Sequence, residues 1–173
     1  MIKETIREAM LQIRNDLLEE KIVAAKKNIL DQIAKDKNFK KAKVVGLYYP
    51  ILNEVDIIDL IRKFPDKTYC LPKLHNNQIY YYHYNDLTPL VKGEFGVMEP
   101  KIREDLTKQL EYVLVPCVAI NHEGYRLGYG KGYFDRFFIK RQPMIKVGVA
   151  YYFGLIDFQA KTYDSKLDYY FLG

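Results

Sequence analysis

Three glycines stand at alternate positions in one short segment, and two cations lie among them. The glycines are Gly128, Gly130 and Gly132, and the cations are Arg126 and Lys131. Glycine adopts backbone conformations that are closed to other residues, so successive N–H groups of such a segment can converge on one anion. A helix that begins near Lys131 would add N–H donors and a partial positive charge at the same point. These residues predict a phosphate-binding loop.

The segment differs from the two common phosphate-binding motifs. A Walker A loop would need glycine at Tyr125 and Ser or Thr at Gly132. A dinucleotide fingerprint counted from Gly128 would need glycine at Tyr133. Two alternatives therefore stay open beside an ATP site: a glycine-rich turn that binds nothing, and an α/β enzyme that binds a sugar phosphate or coenzyme A here.

Carboxylates near this segment are candidate metal ligands. Asp135 follows the glycines by three residues and falls in the first turn of the predicted helix. There it can hold a magnesium ion that bridges phosphates, or it can simply complement the helix dipole. Asp164 and Asp168 are four residues apart and can supply a second metal contact, although without a partner they are surface acids.

Three more charged residues have two interpretations each. Glu54 follows the end of a predicted strand, and ligands of open α/β sheets bind beyond the carboxyl ends of strands. It can equally be an acid at a helix start, beside a capping Asn53. Lys3 and Arg7 lie one helical turn apart and present two cations on one face, which a solvent-exposed face explains as well.

Composition limits the class of protein. The 173 residues are 49% hydrophobic and 28% charged, with a net charge of +5, which is typical of one soluble globular domain spanning residues 1–173 and excludes whole-chain disorder. We read no secretory signal and no membrane span, so we expect a cytoplasmic protein with free, buried thiols at Cys70 and Cys117. Tyrosines at 80, 81, 82 and 84 could form an RNA surface, but alternation along a strand is more typical of a half-buried sheet.

Hydrophobic periodicity predicts alternating strands and helices. Apolar spacing in residues 2–38 predicts two helices with a break at 19–21, and further helices are expected from Asn53, at 103–109 within a mostly irregular 85–110 segment, and at 133–138. Strands are predicted at 43–49, 68–71, 78–84, 112–116, 146–151 and 166–171, with a turn at 73–77. This order predicts a layered α/β/α sandwich with a largely parallel central sheet and the N-terminal helices packed on it.

Taken together, the motifs resemble the 5-formyltetrahydrofolate cyclo-ligase family, also called methenyltetrahydrofolate synthetases. The resemblance extends over most of the chain, and its most specific part is the glycine segment with its flanks. The matching parts are Lys3 with Arg7, residues 48–50 and 53–56, residues 71–72, residues 95–100, residues 114–116 and residues 124–136.

The resemblance implies an α/β sandwich enzyme that uses ATP and Mg²⁺ to close 5-formyltetrahydrofolate to 5,10-methenyltetrahydrofolate, releasing ADP and phosphate through a phosphorylated formyl intermediate. It implies a monomer with small-molecule partners and neither nucleic acid nor membrane. Lys131 and Arg126 would be catalytic, and Asp135 and Asp164 would hold the metal. The implied ATP contacts are Lys3, Arg7, Arg126, Leu127, Gly128, Tyr129, Gly130, Lys131, Gly132, Tyr133 and Phe134. The implied folate contacts are Tyr49, Glu54, Tyr129, Gly130, Lys131, Gly132 and Tyr133.

Two positions depart from the family pattern. Phe134 stands where the family usually has a second tyrosine before the aspartate, so no hydroxyl is available there. Cys117 stands where a small residue usually follows Pro116, which changes packing without removing a charge.

Overall fold

A computed structural model describes residues 2–101, 104–140 and 144–173. The helices are α1 (Lys3–Asn15), α2 (Glu19–Lys35), α3 (Lys37–Lys41), α4 (Leu60–Lys63) and α5 (Tyr133–Lys140). The strands are β1 (Val44–Gly46), β2 (Thr68–His75), β3 (Gln78–Tyr84), β4 (Leu90–Lys92), β5 (Met98–Pro100), β6 (Tyr112–Pro116), β7 (Ala119–Ile120), β8 (Arg126–Leu127), β9 (Ile145–Ala150) and β10 (Tyr169–Leu172). No helix in these ranges is long and apolar enough to cross a membrane.

One six-stranded sheet organises the chain, in the order β10-β9-β6-β1-β2-β3. Every neighbouring pair is parallel except β2 with β3. The central strand β6 is almost wholly apolar and buried, as strands covered on both faces are. The predicted sheet, largely parallel with helices on both sides, is confirmed.

The two faces of the sheet carry separate cores. Leu114 and Val147 pack on the side of α2 and α3, together with Ile29. Val113 and Phe138 belong to the opposite core, which α5 covers. Alternation along β6 sends successive side chains to opposite faces, and this alternation produces the three layers.

Both thiols lie in this interior, as the sequence predicts. Cys70 and Cys117 are buried and free. Burial raises the pKa of the Cys70 thiol to about 12, because a thiolate is poorly solvated there. Tyr81 is fully buried and Tyr84 nearly so, whereas Tyr80 and Tyr82 are partly exposed, in agreement with a half-buried strand.

Helix α1 lies at the end of β6 rather than over the sheet. Its Ile6 and Met10 pack against Ala119 and Leu127 of the small β7–β8 hairpin. The break before α2 falls at 16–18, not at the predicted 19–21. Glu19 and Glu20 instead occupy the first turn of α2, where acidic side chains complement the helix dipole.

The helix predicted from Asn53 is wrong. Leu52 and Asn53 have φ of 46° and 57°, in the left-handed region, whereas an N-cap residue is normally extended. The Tyr151 hydroxyl donates to the Asn53 carbonyl at 2.7 Å, a tertiary contact to a loop. Helix α4 begins only at Leu60. Strand β1 ends at Gly46 rather than at the predicted residue 49.

The β2–β3 hairpin is longer than predicted. Its turn is only Asn76-Asn77, with φ of 50° and 58°, the two-residue geometry that suits a twisted hairpin. Residues 73–75 therefore belong to β2 and not to the turn. The strands predicted at 146–151 and 166–171 are observed as β9, at Ile145–Ala150, and β10, at Tyr169–Leu172.

The segment 85–110 contains structure that the sequence did not predict. Strands β4 and β5 pair into a short antiparallel ribbon that packs on β2. Residues 107–109 form a 3₁₀ turn where a helix over 103–109 was predicted, and Arg103 lies outside the described residues. Proline and glycine interrupt this segment, so no stretch of alternating polar and apolar residues in it is long enough to predict a strand.

Candidate active site

A cavity of about 650 Å³ opens at the carboxyl ends of β1 and β6. This is where α/β sheets place ligands, and the volume is in the range of small-molecule sites. All residues that the family resemblance implies for ATP, folate or metal line it. They are Lys3, Arg7, Tyr49, Glu54, Arg126, Leu127, Gly128, Tyr129, Gly130, Lys131, Gly132, Tyr133, Phe134, Asp135 and Asp164. Their roles as ligands remain predictions, but their convergence is a structural fact.

The glycine segment joins β8 to α5 along this cavity. Gly130 has φ of 92°, which only glycine adopts readily, and a Cβ on it would lie 3.4 Å from the Arg7 guanidinium. A Cβ on Gly128 would come within 2.4 Å of Arg126 Nη2. The small residues thus leave space for two guanidinium groups. Helix α5 begins at Tyr133, two residues after the predicted start at Lys131.

The first turn of α1 closes one side of the glycine segment. Arg7 Nε donates to the Gly128 carbonyl at 2.7 Å, and its Nη1 pairs with Glu4. Lys3 forms an ion pair with Asp164, whose side chain is only 6% exposed. The two cations therefore face the loop, and the interpretation of Lys3 and Arg7 as a solvent-exposed face is wrong.

The two predicted metal ligands lie together. Asp135 Oδ1 accepts from the Ser165 backbone N–H at 3.1 Å, so it is adjacent to Asp164 in space. Asp164 already accepts from Lys3 and, at 2.6 Å, from the Lys161 N–H. Magnesium commonly binds one or two carboxylates plus phosphate oxygens, and these two residues fit that need. Asp168 does not join them, because its carboxylate accepts from the Lys146 N–H at 2.7 Å.

Glu54 is a buried carboxylate, 7% exposed, in a network of three side chains. Its Oε1 accepts from the Tyr129 hydroxyl at 2.9 Å, and its Oε2 accepts from the Ile51 N–H at 3.0 Å. Arg14 in turn donates to the Tyr129 hydroxyl. Since no helix begins near Glu54, its interpretation as a helix-start acid is wrong.

Burial and nearby cations act on Glu54 in opposite directions. Burial raises the pKa of the carboxyl group, because the charged form is poorly solvated. The Ile51 N–H, the Arg14 and Arg126 charges and the Tyr129 hydroxyl lower this pKa, although burial prevails.

Arg14 is a functional candidate that sequence reasoning missed. It is 4% exposed, and its Nε has no hydrogen-bond partner among the described residues. The available signal was its spacing: it follows Ile6 and Met10 at intervals of four, on the apolar face of α1, where a charge is unusual.

Arg126 is also buried, beneath the glycine segment. Its Nη2 donates to the Pro116 carbonyl at 3.0 Å, at the end of β6. Its guanidinium lies 4.9 Å from the centre of the Phe134 ring, a cation–π distance. Phe134 therefore packs against the Arg126 guanidinium, a contact that needs no hydroxyl.

An apolar surface faces the cavity from the hairpin and the ribbon, and we call it the ring wall. It consists of Pro72, Leu74, Ile79, Phe95 and Val97. Phe95 contacts both the Lys131 ammonium, 5.4 Å from its ring centre, and the Tyr133 ring at 6.1 Å. The ring wall thus meets the glycine segment directly. Sequence reasoning did not assign these residues to a ligand, because their segments were not predicted to reach the site.

The glycine segment and its flanks lie within the part of the chain that matches known proteins. Residues 1–164 match the model of the 5-formyltetrahydrofolate cyclo-ligase family. The chain belongs to this family. It is therefore an enzyme, a ligase, as its motifs predict, and the matched range includes every site residue that the resemblance implies.

Individual relatives agree with this assignment. A 5-formyltetrahydrofolate cyclo-ligase of Mycoplasma pneumoniae is 34% identical over 133 residues, covering 73% of this chain and 70% of that protein. One of Haemophilus influenzae is 28% identical over 156 residues, covering 84% and 80%. The solution structure of Aquifex aeolicus 5,10-methenyltetrahydrofolate synthetase superposes with a TM-score of 0.85 at 37% identity, covering 97% of this chain and 88% of that one.

Proposed function

We propose that this chain catalyses the ATP- and Mg²⁺-dependent cyclisation of 5-formyltetrahydrofolate to 5,10-methenyltetrahydrofolate, with release of ADP and phosphate. The observation that carries the proposal is the meeting of two surfaces in one cavity. A cationic glycine segment, suited to phosphates, touches an apolar ring wall through the contacts of Phe95 with Lys131 and Tyr133.

ATP would bind along the glycine segment and the first turn of α1. The cations available to its phosphates are Lys3, Arg7 and Lys131, and each lines the cavity. Phosphoryl transfer depends on positioning and on charge stabilisation, which these groups supply. We assign Lys131 to the transferred phosphoryl group, since it stands between the glycines and the ring wall.

Asp135 and Asp164 would hold the magnesium ion. When bound, the ion neutralises charge that develops on phosphate oxygens. Release of Asp164 from Lys3 would give the carboxylate to the metal and the ammonium to a phosphate, so that each charge finds a new partner. This exchange is the part of the proposal that rests on the Lys3–Asp164 ion pair.

The folate ring would lie against Tyr49, Tyr133 and the ring wall. Flat apolar surfaces bind a planar ring, and Glu54 would accept hydrogen bonds from ring N–H groups. Hydrogen bonds from N–H groups of the folate would offset the free-energy cost of keeping the buried Glu54 ionised.

The reaction needs no enzyme nucleophile. The formyl oxygen would attack the γ-phosphorus, and the bond from that phosphorus to ADP would break. N10 of the folate would then bond to the activated carbon and lose its proton, and the carbon–oxygen bond would break as phosphate leaves with the formyl oxygen. The chain contributes alignment of the two substrates and stabilisation of phosphoryl charge.

A spectroscopic assay tests the proposal. The protein is mixed with 5-formyltetrahydrofolate and MgATP, and the near-ultraviolet absorbance of the methenyl product is followed, with EDTA as the control. We expect product in proportion to enzyme and none after EDTA. Folded protein without turnover would overturn the proposal and favour a sugar phosphate or coenzyme A ligand at the glycine segment.

We also propose that residues 1–173 act as a single-domain monomer in the cytoplasm, without a nucleic acid or membrane partner. Support for a single domain comes from the one six-stranded sheet, whose two faces carry the two larger hydrophobic cores. Sedimentation at several protein concentrations, with and without ATP, tests the monomer.

A further inference from the structure

Glu99 is a buried carboxylate that faces the same cavity and has no role in the function proposed above. It is 6% exposed and stands in β5, beside the ring wall. Its Oε2 accepts from the Leu74 N–H at 2.6 Å, which fixes the side chain between the ribbon and the hairpin.

The other oxygen of Glu99 has no hydrogen-bond donor in the part of the chain that the structure describes. Among the described residues, none donates to Oε1, and no basic side chain forms an ion pair with this carboxylate. A buried carboxylate normally requires a cation or several donors to offset lost hydration. Since Glu99 lines the cavity, a ligand in the cavity can supply the missing donor.

The surroundings of Glu99 define the chemistry of that ligand. The neighbouring cavity surface is apolar, from Leu74 and Val97, so it suits a ring rather than a second phosphate. A Cβ on Gly93 would lie 1.8 Å from Oε1, so glycine at this position is what admits the carboxylate.

We propose that Glu99 is a further substrate-binding residue, whose Oε1 accepts a hydrogen bond from a ring N–H or amino group of the reduced pterin. This inference rests on the proposed function and extends it. Glu54 and Glu99 together would recognise donor groups on the ring, and the ring wall would hold its face. An analogue with fewer N–H donors would lose these charge-assisted hydrogen bonds.

Two variants separate the charge of Glu99 from its position. Glu99→Gln keeps an acceptor for the Leu74 N–H but removes the charge. Gly93→Ala keeps the charge but displaces the carboxylate, and its φ of −92° allows alanine. Glu94→Gln is the matched control, because Glu94 lies in the same ribbon, is exposed and does not line the cavity.

The readouts are the KM for 5-formyltetrahydrofolate, the KM for ATP, folate affinity by calorimetry without ATP, and Tm. We expect both Glu99→Gln and Gly93→Ala to weaken folate binding about tenfold, with the ATP KM unchanged. Tm should stay the same in Glu99→Gln, whereas Gly93→Ala should lower it because displacement of the carboxylate breaks its contact with the Leu74 N–H. Glu94→Gln should match wild type. Unchanged folate affinity in both variants would overturn the inference, as would a loss that affects ATP equally. Failure of the wild type to turn over 5-formyltetrahydrofolate would instead overturn the proposed function.

Discussion

The two ends of the cavity stabilise their charges in different ways. At the glycine segment, opposite charges from distant parts of the chain pair with each other, as Lys3 does with Asp164. Glu99 beside the ring wall and Glu54 beside Tyr129 are instead buried, and among the described residues they accept from backbone N–H and tyrosine O–H groups without forming an ion pair. The ion-paired groups can exchange their partners for phosphate and metal. The buried carboxylates Glu54 and Glu99 can each accept a further hydrogen bond from a ligand.

This difference makes the two ends respond differently to mutation. Loss of a group at the glycine segment removes charge stabilisation that counts most in the transition state. Loss of a carboxylate near the ring wall removes a contact made equally in the ground state, which alters KM more than kcat.

The largest effect is expected from Lys131→Ala. Because its ammonium lies at the junction of the two ends, its removal should lower kcat/KM for ATP by roughly 10²–10³-fold, the magnitude seen when one charge-stabilising donor is lost. Steady-state kinetics and a thermal melt measure this change. Tm should stay the same, since the Lys131 ammonium lies over the face of the partly exposed Phe95 ring. Unchanged turnover would remove Lys131 from the phosphate site.

Asp135→Asn should abolish most of the magnesium dependence together with most of the activity. The amide keeps an acceptor for the Ser165 N–H, so the loop should stay in place while the charge is lost. Activity is titrated with Mg²⁺ in wild type and variant, and Asp168→Asn serves as the acid outside the cavity. A variant with normal Mg²⁺ stimulation would show that the metal is held elsewhere.

Glu54→Gln should raise the folate KM about tenfold while the ATP KM stays within twofold. Stability gives a second measure, because the pKa of Glu54 is raised in the folded state. An acid whose pKa is raised on folding lowers the free energy of unfolding as pH rises from the pKa of the unfolded state to that of the folded state. Glutamine does not titrate, so the variant lacks this decrease in stability. Chemical denaturation of wild type and variant at several pH values above 4.5 measures it. An effect on stability alone would contradict a folate-binding role.

Arg14→Met should have the smallest effect, a shift of the pH profile. Glu54 must be ionised to accept ligand N–H groups, so the folate KM should rise as pH falls through its pKa. Among the groups around Glu54, Arg14 and Arg126 lower that pKa, while Tyr129 donates to the carboxylate. Removal of the Arg14 charge should therefore move the acid limb to higher pH.

Arg14→Lys is the control for that shift, since it keeps the charge. Its acid limb should stay near that of wild type. An identical profile for the methionine and wild-type proteins would show that Arg14 only packs beside Tyr129.

The sequence predicts the glycine end far better than the ring end, for a physical reason. Alternate glycines with flanking cations form a local pattern, and β6 has the predicted bounds because its five residues are apolar or aromatic and lie in the middle of the sheet. The Glu99 carboxylate is held in place by a hydrogen bond from the Leu74 N–H, 25 residues earlier in the chain. The positive φ of Asn53 likewise accompanies a contact with Tyr151, 98 residues away. Such tertiary contacts have no local signature.

In the proposed reaction, this cavity brings the formyl oxygen to the γ-phosphorus of ATP. Substrate labelled with ¹⁸O in the formyl group tests it directly, with mass spectrometry of the released phosphate. We predict one ¹⁸O atom in each phosphate formed during turnover in ordinary water. Phosphate without the label, at normal yield of the methenyl product, would exclude attack of the formyl oxygen on the γ-phosphorus.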